Sequence, residues 1–444
     1  MALADSIAAI ATPPGVGAIG VVRVSGPTIG ALMVALIGRE IPPRTAILCD
    51  FLNAESGCID SGLALYFPAP HSYTGEDVLE LQGHGGIAVV RLVLRRCVEL
   101  GARLAEPGEF TRRAFCNGKL DLAQAESIAD LIQAESEAAV AAALRSLKGE
   151  FSIRVSGLSN AITSVRATIE ALIDFPEEEL SLPQHQALLE TVKNIYHDWE
   201  TTFLRAMEGA RVLKGGRVVL MGAPNVGKST LLNKLADADL AIVSDVPGTT
   251  RDTIDADVEF KGLHLHITDT AGFRNTSDKV EQLGIERALR AASDADLIVL
   301  VEDSTTLGAD STAMRQALPN GAKYLRVRNK IDVEGLAPIR EFGSGETVIS
   351  LSARSGAGVE LLRSAIEEHF AGTTKYGDAF SVRERHLSAL NSAGRHLDQA
   401  RRSEAVELMA EDLRAAQQAL GSITGQVVAD DVLGEIFNRF CIGK

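Results

Sequence analysis

A glycine-rich stretch, Gly222 to Thr230 with the sequence GAPNVGKST, has the spacing of a phosphate-binding loop. The β-branched run from Arg217 to Met221 precedes it and the helix-period run from Leu231 to Leu235 follows it, which favours this motif over an ordinary glycine turn. In such a loop, backbone N–H groups surround phosphate oxygens at the positive end of the helix. We therefore predict that Lys228 reaches the β- and γ-phosphates and that Ser229 binds Mg²⁺.

Three further motifs predict that the nucleotide is GTP. Asp269 begins the sequence DTAG directly after an alternating run, which places it at a strand end near the γ-phosphate. In the sequence NKID, the carboxylate of Asp332 can accept both N1–H and N2–H₂ of guanine, and adenine offers no such donor pair. The sequence SAR supplies backbone donors for the guanine oxygen. The predicted GTP-binding residues are Asn225, Val226, Gly227, Lys228, Ser229, Thr230, Ser244, Asp245, Val246, Pro247, Gly248, Thr249, Thr250, Asp269, Thr270, Ala271, Gly272, Asn329, Lys330, Asp332, Ser352, Ala353 and Arg354.

The hydrolytic residues differ from those of Ras-type enzymes. Phe273 follows the DTAG motif, close to where Ras-type enzymes have a glutamine that orients the attacking water, and an apolar ring cannot do this. The segment 274–284 supplies candidates for the missing group. No arginine finger is evident, although Arg251 is nearby. The carbonyl oxygen of Asn225 could instead hold a monovalent cation against the phosphates, or this side chain could simply stabilise the loop. Thr250 is the predicted second Mg²⁺ ligand.

Composition limits the kind of protein. With 444 residues, 46% hydrophobic and 23% charged, the chain is predicted to be globular with about three domains. The net charge of −15 argues against a broad nucleic-acid surface, but a local basic patch or a basic partner stays possible. Five cysteines without metal-binding spacing suit a reducing cytoplasm. Neither a signal peptide nor a membrane-spanning segment is expected.

The periodicity of apolar residues changes along the chain. Residues 1–118 alternate short apolar runs with Gly/Pro turns, residues 119–210 and 378–444 have helical spacing, and residues 211–377 alternate strands with helices. We therefore predict an α/β N-terminal domain, an all-α domain made of the two helical halves, and an inserted Ras-like P-loop α/β G domain. The GxGxxG pattern at 15–20 enters a strand-like run instead of leaving one, so we do not interpret it as a dinucleotide site.

Two loop sequences in the first domain, His71–Gly86 and Pro107–Asp121, concentrate glycine, aromatic and charged residues. Such loops are typical of functional sites, although turn chemistry alone could explain them. Together with GAPNVGKS, GTTRD, DTAGFRNTSDKVEQLGIER, NKID and the terminal FCIGK, they make the chain resemble the MnmE (TrmE) family of tRNA modification GTPases over essentially its whole length. The G-domain motifs occur in other GTPases, whereas the N-terminal phrases and CIGK are far more specific.

The resemblance implies a substrate, cofactors and partners. It implies a cytoplasmic homodimer that joins an MnmG-type FAD-dependent protein in a heterotetramer and adds an aminomethyl-type (carboxymethylaminomethyl) group to C5 of the wobble uridine in tRNA. It also implies that the N-terminal domain forms the dimer and binds a tetrahydrofolate derivative, 5-formyl- or methylene-tetrahydrofolate, as the one-carbon source. By motif position, the folate contacts are Arg23, Glu80, Lys119 and Lys444. A pterin ring offers a guanine-like donor face to a carboxylate, which agrees with Glu80.

The same resemblance implies potassium-dependent dimerisation of the G domains and assigns catalytic residues. Glu281 matches the family's water-orienting glutamate, and Cys441 matches its terminal cysteine, whose catalytic role is a hypothesis beside that of a small apolar residue near a helix end. The loops vary at Ala223, Ser244 and Pro247, and Ser244 can donate a ligand only if its backbone or hydroxyl points inward. The matching K⁺ ligands are Asn225, Ser244, Val246 and Thr249.

Two rival functions share part of this pattern. A regulatory GTPase of ribosome assembly has the same four G motifs, but it normally carries an RNA-binding module or a basic surface, whereas the appendage here is acidic and helical. A folate-dependent group-transfer enzyme with an incidental GTPase does not explain a G domain inserted into a helical one. We therefore expect a folate-binding GTPase that acts in tRNA modification.

Overall fold

The computed structural model describes the residues 5–27, 29–174, 182–237, 254–260, 263–270, 289–306, 314–319, 321–343, 346–370, 378–403, 405–426, 430–438 and 440–443. The chain divides into two compact units. The first comprises Met1–Ala129, Ser146–Glu200 and Ser388–Lys444, and the second comprises Asp130–Arg145 and Thr201–Leu387. Within these described ranges, no helix has the length and apolar character needed to cross a membrane.

The first unit contains a six-stranded sheet in the order β3-β4-β5-β2-β1-β6. Neighbouring strands are antiparallel except for β1 and β6. Val22, Val24, Leu79 and Leu81 point from alternate strand positions into the core beneath the sheet. The α/β pattern that the sequence predicts here is confirmed. The strands are β1 (Ile7–Ile10), β2 (Ile19–Ser25), β3 (Ile47–Leu52), β4 (Cys58–Phe67), β5 (Val78–His84) and β6 (Arg103–Leu104).

The second unit contains a seven-stranded sheet in the order β12-β13-β11-β10-β7-β9-β8. The strands from β13 to β9 are parallel to their neighbours, whereas the edge strands β12 and β8 are antiparallel. Parallel strands end at one edge of a sheet, and that edge is where nucleotide loops are expected. The strands are β7 (Gly216–Met221), β8 (Ile254–Phe260), β9 (Leu263–Asp269), β10 (Leu297–Asp303), β11 (Tyr324–Asn329), β12 (Ile339–Gly343) and β13 (Glu346–Ser350).

The helices bring distant parts of the chain together within the first unit, where α6 packs along α12. There the indole N–H of Trp199 on α7 donates to the Leu390 carbonyl on α11 at 2.7 Å. The helices are α1 (Ile29–Ile37), α2 (Ile87–Glu99), α3 (Glu109–Cys116), α4 (Leu122–Ile132), α5 (Glu137–Leu147), α6 (Glu150–Asp174), α7 (Leu182–Lys214), α8 (Lys228–Asp237), α9 (Ile331–Glu334), α10 (Val359–Phe370), α11 (Glu384–Ala400), α12 (Val406–Thr424) and α13 (Asp430–Asn438).

The helical spacing of residues 119–210 predicts that the last helix of this range, α7, ends near Gly209. The helix instead continues to Lys214. A Cβ atom at Gly209 would lie 1.6 Å from the carbonyl oxygen of Phe380, so glycine is required by a close backbone approach and not by a helix terminus.

Candidate functional site

The phosphate loop lies between β7 and α8, as the sequence predicts. Asn225 and Gly227 both have left-handed backbones, with φ of 65° and 97°. A Cβ atom at Gly227 would lie 2.3 Å from Nδ2 of Asn329, so this position excludes any side chain. The loop is therefore closed tightly enough for backbone N–H groups to converge on a phosphate group.

Three polar side chains meet at the start of α8. The ammonium group of Lys228 is buried and donates to the carbonyls of Gly222 at 3.0 Å and Ala223 at 3.1 Å. Burial lowers the pKa of Lys228, against the opposing charge of Asp269. Ser229 donates from Oγ to Oδ2 of Asp269 at 2.5 Å. Burial also raises the pKa of Asp269, although the hydrogen bond from Ser229 and the charge of Lys228 oppose this.

The oxygen atoms of Ser229 and Asp269 fit a magnesium ion. Hydroxyl and carboxylate oxygens are the ligands that Mg²⁺ prefers, and Oδ1 of Asp269 is buried without a hydrogen-bond partner in the described part of the chain. No group of three or more His, Cys, Asp and Glu side chains among the described residues could hold a metal by itself. A Mg²⁺ ion bound to one or two protein oxygens would take its further ligands from nucleotide phosphates and water.

Asn329 ties the phosphate loop to the opposite side of the site. Its Nδ2 donates to the Val226 carbonyl at 2.7 Å, and its Oδ1 accepts from the backbone N–H of Ala353 at 2.8 Å. Asn329 and Ala353 are almost fully buried. This amide therefore sets the spacing between the loop that holds phosphate and the loop predicted to meet the guanine oxygen.

The residues that are predicted to read the base follow β11 directly. Lys330 has a left-handed backbone with φ of 70°, and its Nζ lies 2.7 Å from Oδ2 of Asp303. Burial would raise the pKa of Asp303, but hydrogen bonds from Lys330 and Thr305 hold it below its usual range. Asp332 lies in the first turn of α9 and is exposed, so its carboxylate is accessible to a base.

The structure brings together most of the described residues of the predicted GTP site. Val226, Thr270 and Ser352 are buried, and Thr270 donates from Oγ1 to the Leu220 carbonyl at 2.8 Å. Thr230 and Arg354 are exposed. The predicted residues outside the described ranges are Ser244, Asp245, Val246, Pro247, Gly248, Thr249, Thr250, Ala271, Gly272 and Glu281.

A second candidate site lies on the sheet of the first unit, where Arg23 on β2 stands directly opposite Glu80 on β5. The Nε of Arg23 donates to Oε1 of Glu80 at 2.9 Å, and Nη2 approaches the same oxygen at 2.8 Å. Both side chains are largely covered, with exposed fractions of 16% and 18%. The sheet register therefore creates this ion pair from two residues 57 positions apart.

The C-terminal tail, residues 440–443, packs beside this ion pair. Nη1 of Arg23 donates to the Gly443 carbonyl at 3.5 Å, and the N–H of Gly108 donates to the Cys441 carbonyl at 3.4 Å. The structure thus brings Arg23, Glu80 and the tail together, with Cys441 exposed. Lys119 is exposed and donates to the Pro70 carbonyl at 3.0 Å, and Lys444 is outside the described residues.

The sequence did not indicate the buried ion network that supports this site. Arg113 is almost fully buried, and its guanidinium contacts Asp5, Glu76 at 3.2 Å and Glu109 at 3.0 Å. Only the spacing of Glu109 and Arg113, four residues apart on one helix, could have suggested a pair. The network holds the 70–77 loop against α3.

This network predicts an acid-sensitive stability of the first unit. Burial alone would raise the pKa of Glu109, but hydrogen bonds from Arg103, the Glu106 N–H and Arg113 lower it to about 2. A carboxyl whose folded pKa is depressed stabilises the fold above its unfolded pKa of about 4.3 and loses that contribution as the pH falls through the folded value. Urea unfolding at pH 5.5 and at pH 3 is expected to show a large acid loss for the natural chain and a smaller one for Glu109→Gln.

The exposed Glu55 provides the control, because Glu55→Gln removes a carboxylate that contacts no cationic side chain in the described structure. Glu55→Gln should lose as much free energy of unfolding between pH 5.5 and pH 3 as the natural chain does. If Glu109→Gln also lost this full amount, Glu109 would not be the origin of the acid sensitivity.

The Ras-like sheet, the phosphate loop and the Asp269 and Asn329 contacts define a P-loop GTPase. Family models match the "GTP-binding protein TrmE N-terminus" at residues 6–119 and the "MnmE helical domain" at residues 122–441. The chain is 52% identical to a tRNA modification GTPase MnmE of Azoarcus sp. strain BH72, over 99% of this chain and 98% of the relative. It is 51% identical to that of Thiobacillus denitrificans, with the same coverage. The chain belongs to the MnmE family of tRNA modification GTPases.

Solved structures also align with part of the chain. The FeoB G domain of Methanococcus jannaschii is 26% identical over 35% of this chain and 98% of that chain, with a TM-score of 0.27. Era of Aquifex aeolicus is 24% identical over 43% of this chain and 69% of that chain, with a TM-score of 0.28.

Proposed function

We propose that this GTPase acts on the wobble uridine of tRNA and adds an aminomethyl-type, carboxymethylaminomethyl group to C5 with a one-carbon unit from a tetrahydrofolate derivative. Hydrolysis of GTP in this proposal depends on potassium. The partner is an MnmG-type FAD-dependent protein, which forms a heterotetramer with a homodimer of this chain in the cytoplasm. The family membership and the motifs of the N-terminal domain support this proposal.

The observation that carries the folate part is the Arg23–Glu80 pair with the C-terminal tail beside it. A carboxylate next to a guanidinium offers acceptors and donors side by side, which matches the amide and amino edge of a pterin ring. Lys119 and Lys444 are proposed to meet the carboxylate tail or a ring oxygen of the folate. Cys441, which is exposed in the tail, is proposed to take part in the reaction on tRNA.

The GTPase part assigns roles to residues of the second unit. Lys228 and the loop N–H groups bind phosphate oxygens, and Asp332 binds the guanine edge. Ser229 and Thr250 would hold Mg²⁺, which when bound neutralises charge on the phosphates. Glu281 is proposed to orient the water. Asn225, Ser244, Val246 and Thr249 would hold K⁺.

Potassium dependence leads to a direct measurement. GTP turnover at equal ionic strength is expected to be at least about 10-fold faster in KCl than in NaCl, because the ion supplies charge that an arginine finger supplies elsewhere. Replacing Asn225 with alanine should remove most of this difference. Asn233→Ala, which truncates an exposed asparagine on α8, should preserve it. Equal rates of GTP turnover by the natural chain in KCl and in NaCl would contradict the proposed role of K⁺ in hydrolysis.

Nucleoside analysis of bulk tRNA tests the proposed substrate. Cells that lack this protein are expected to lose the C5-modified wobble uridine and to regain it when the natural chain is restored. Unchanged nucleosides, combined with a defect in ribosomal particles, would favour the regulatory GTPase of ribosome assembly instead.

A further inference from the structure

The side chain of Arg23 lies close to two aromatic rings that have no role in the function proposed above. Its guanidinium carbon is 5.4 Å from the ring centroid of Tyr73 and 5.8 Å from that of Phe110. Both distances lie within the range of about 6 Å over which an aromatic face attracts a guanidinium group. One ring comes from the 70–77 loop and the other from α3.

Contacts of their own hold both rings in place. Phe110 is fully buried and packs in a cluster with Ile7 and Tyr73. The hydroxyl of Tyr73 forms a hydrogen bond with Oγ1 of Thr111 at 2.8 Å. Because Thr111 is buried, this bond fixes the outer end of the tyrosine ring.

The loop that carries Tyr73 is attached to the same helix and to the turn after it. Nδ2 of Asn117 donates to the Thr74 carbonyl at 2.7 Å, and Nη1 of Arg113 contacts Glu76 at 3.2 Å. The PGEFTRR sequence therefore positions the SYTGED sequence. This explains why both loop sequences contribute to one site although they are separated along the chain.

The fixed guanidinium retains hydrogen-bonding capacity. Arg23 uses Nε and Nη2 on Oε1 of Glu80 and one Nη1 hydrogen on the Gly443 carbonyl. Guanidinium has five N–H donors, so two remain. Among the described residues, nothing donates to Oε2 of Glu80. Two donors and an acceptor oxygen are therefore available to the edge of a flat heterocycle.

We propose that Tyr73 and Phe110 are positioning residues of the folate pocket. Their rings hold the Arg23 guanidinium in the orientation that pairs it with Glu80, so the donors and the acceptor are already arranged when a reduced pterin arrives. A freely rotating arginine would lose side-chain entropy on binding, and the aromatic contacts reduce that cost. This inference rests on the proposed folate function.

Calorimetric titration of the full chain with 5-formyltetrahydrofolate tests this role. Tyr73→Leu is expected to weaken binding by about 3- to 30-fold, which is the range of a cation–π contact. Tyr73→Phe retains the ring and should remain within about 3-fold of the natural chain. Both Tyr73→Phe and Thr111→Val remove the hydrogen bond between the Tyr73 hydroxyl and Oγ1 of Thr111, so the folate affinity of Thr111→Val should match that of Tyr73→Phe.

A double substitution separates positioning from direct contact. In an Arg23→Gln chain, whose affinity is already reduced, the further change Tyr73→Leu should alter binding by less than about 2-fold, because the ring has no guanidinium left to hold. An equal loss with and without Arg23 would mean that Tyr73 contacts the ligand itself, which overturns the proposal.

A ligand-free measurement keeps this inference distinct from the folate proposal. Aromatic rings shift the Nε–H resonance of a nearby arginine, so in arginine-labelled protein the Arg23 signal should move in Tyr73→Leu. It should stay in place in Tyr196→Leu, a change on α7 next to Arg401. An unmoved signal in Tyr73→Leu overturns the positioning role. If the Arg23 signal moves in Tyr73→Leu but the natural chain does not bind folate, the folate function is overturned and the positioning role is not.

Discussion

Replacing Asp332 with asparagine is expected to weaken GTP binding by roughly 10²- to 10⁴-fold and to make xanthosine triphosphate the preferred nucleotide. Each hydrogen bond to a charged group contributes about 1.5 to 3 kcal/mol, and the carboxylate is expected to accept two from guanine. Xanthine has a carbonyl oxygen where guanine has the amino group, and the asparagine NH₂ can donate to it. Competition binding experiments with GTP and xanthosine triphosphate measure the ratio of the two affinities in the natural chain and in Asp332→Asn.

Glu334 provides the matched control for this experiment. It is exposed on the same short helix, α9, so Glu334→Gln removes a carboxylate two residues away. GTP preference should then be unchanged. If Asp332→Asn also retained the natural preference, the base would have to be read by another group.

The second large effect is expected for Asn329→Ala. The natural amide pairs the Val226 carbonyl and the Ala353 N–H inside the protein, and the truncation leaves both without that partner. An unsatisfied buried polar group costs about 1 to 3 kcal/mol, so we expect a loss of about 2 to 4 kcal/mol in the stability of the second unit. Because the two loops are proposed to contact the two ends of the nucleotide, GTP affinity should fall by at least about 30-fold.

Thermal unfolding and nucleotide titration of the same preparation test both parts of this prediction. Asn233→Ala deletes the same chemical group from an exposed position of α8 and should have little effect on either. GTP affinity within about 3-fold of natural in Asn329→Ala would show that the tie between the loops is not needed for binding.

The elements of the fold could largely be predicted from the sequence because local patterns determine them. The strand from Arg217 to Met221 and the helix from Leu122 to Ile132 lie where the apolar periodicity places them. The predicted end of α7 near Gly209 was wrong, because the sequence does not distinguish a glycine at a close backbone contact from a glycine at the end of a helix. The predicted domain boundaries remain predictions.

The candidate sites were only partly predictable. The residue types and spacing of Lys228, Ser229 and Asp269 were enough to predict phosphate and metal chemistry. The structural role of Asn329 could not be deduced, since its partners lie 103 and 24 residues away. The same limit applies to Tyr73 and Phe110, whose contacts with Arg23 depend on how the loop folds back onto α3.

The backbone packing of the C-terminal tail predicts that two neighbouring positions differ in their tolerance to mutation. Gly443 has φ of 98°, and a Cβ atom there would lie 2.4 Å from the Ile10 carbonyl oxygen, whereas the neighbouring Ile442 is 60% exposed. In a library of single substitutions, functional variants should therefore retain glycine at position 443 and should accept many residue types at position 442. At Gly443, the geometry of the backbone and not the chemistry of a side chain determines which residue is allowed.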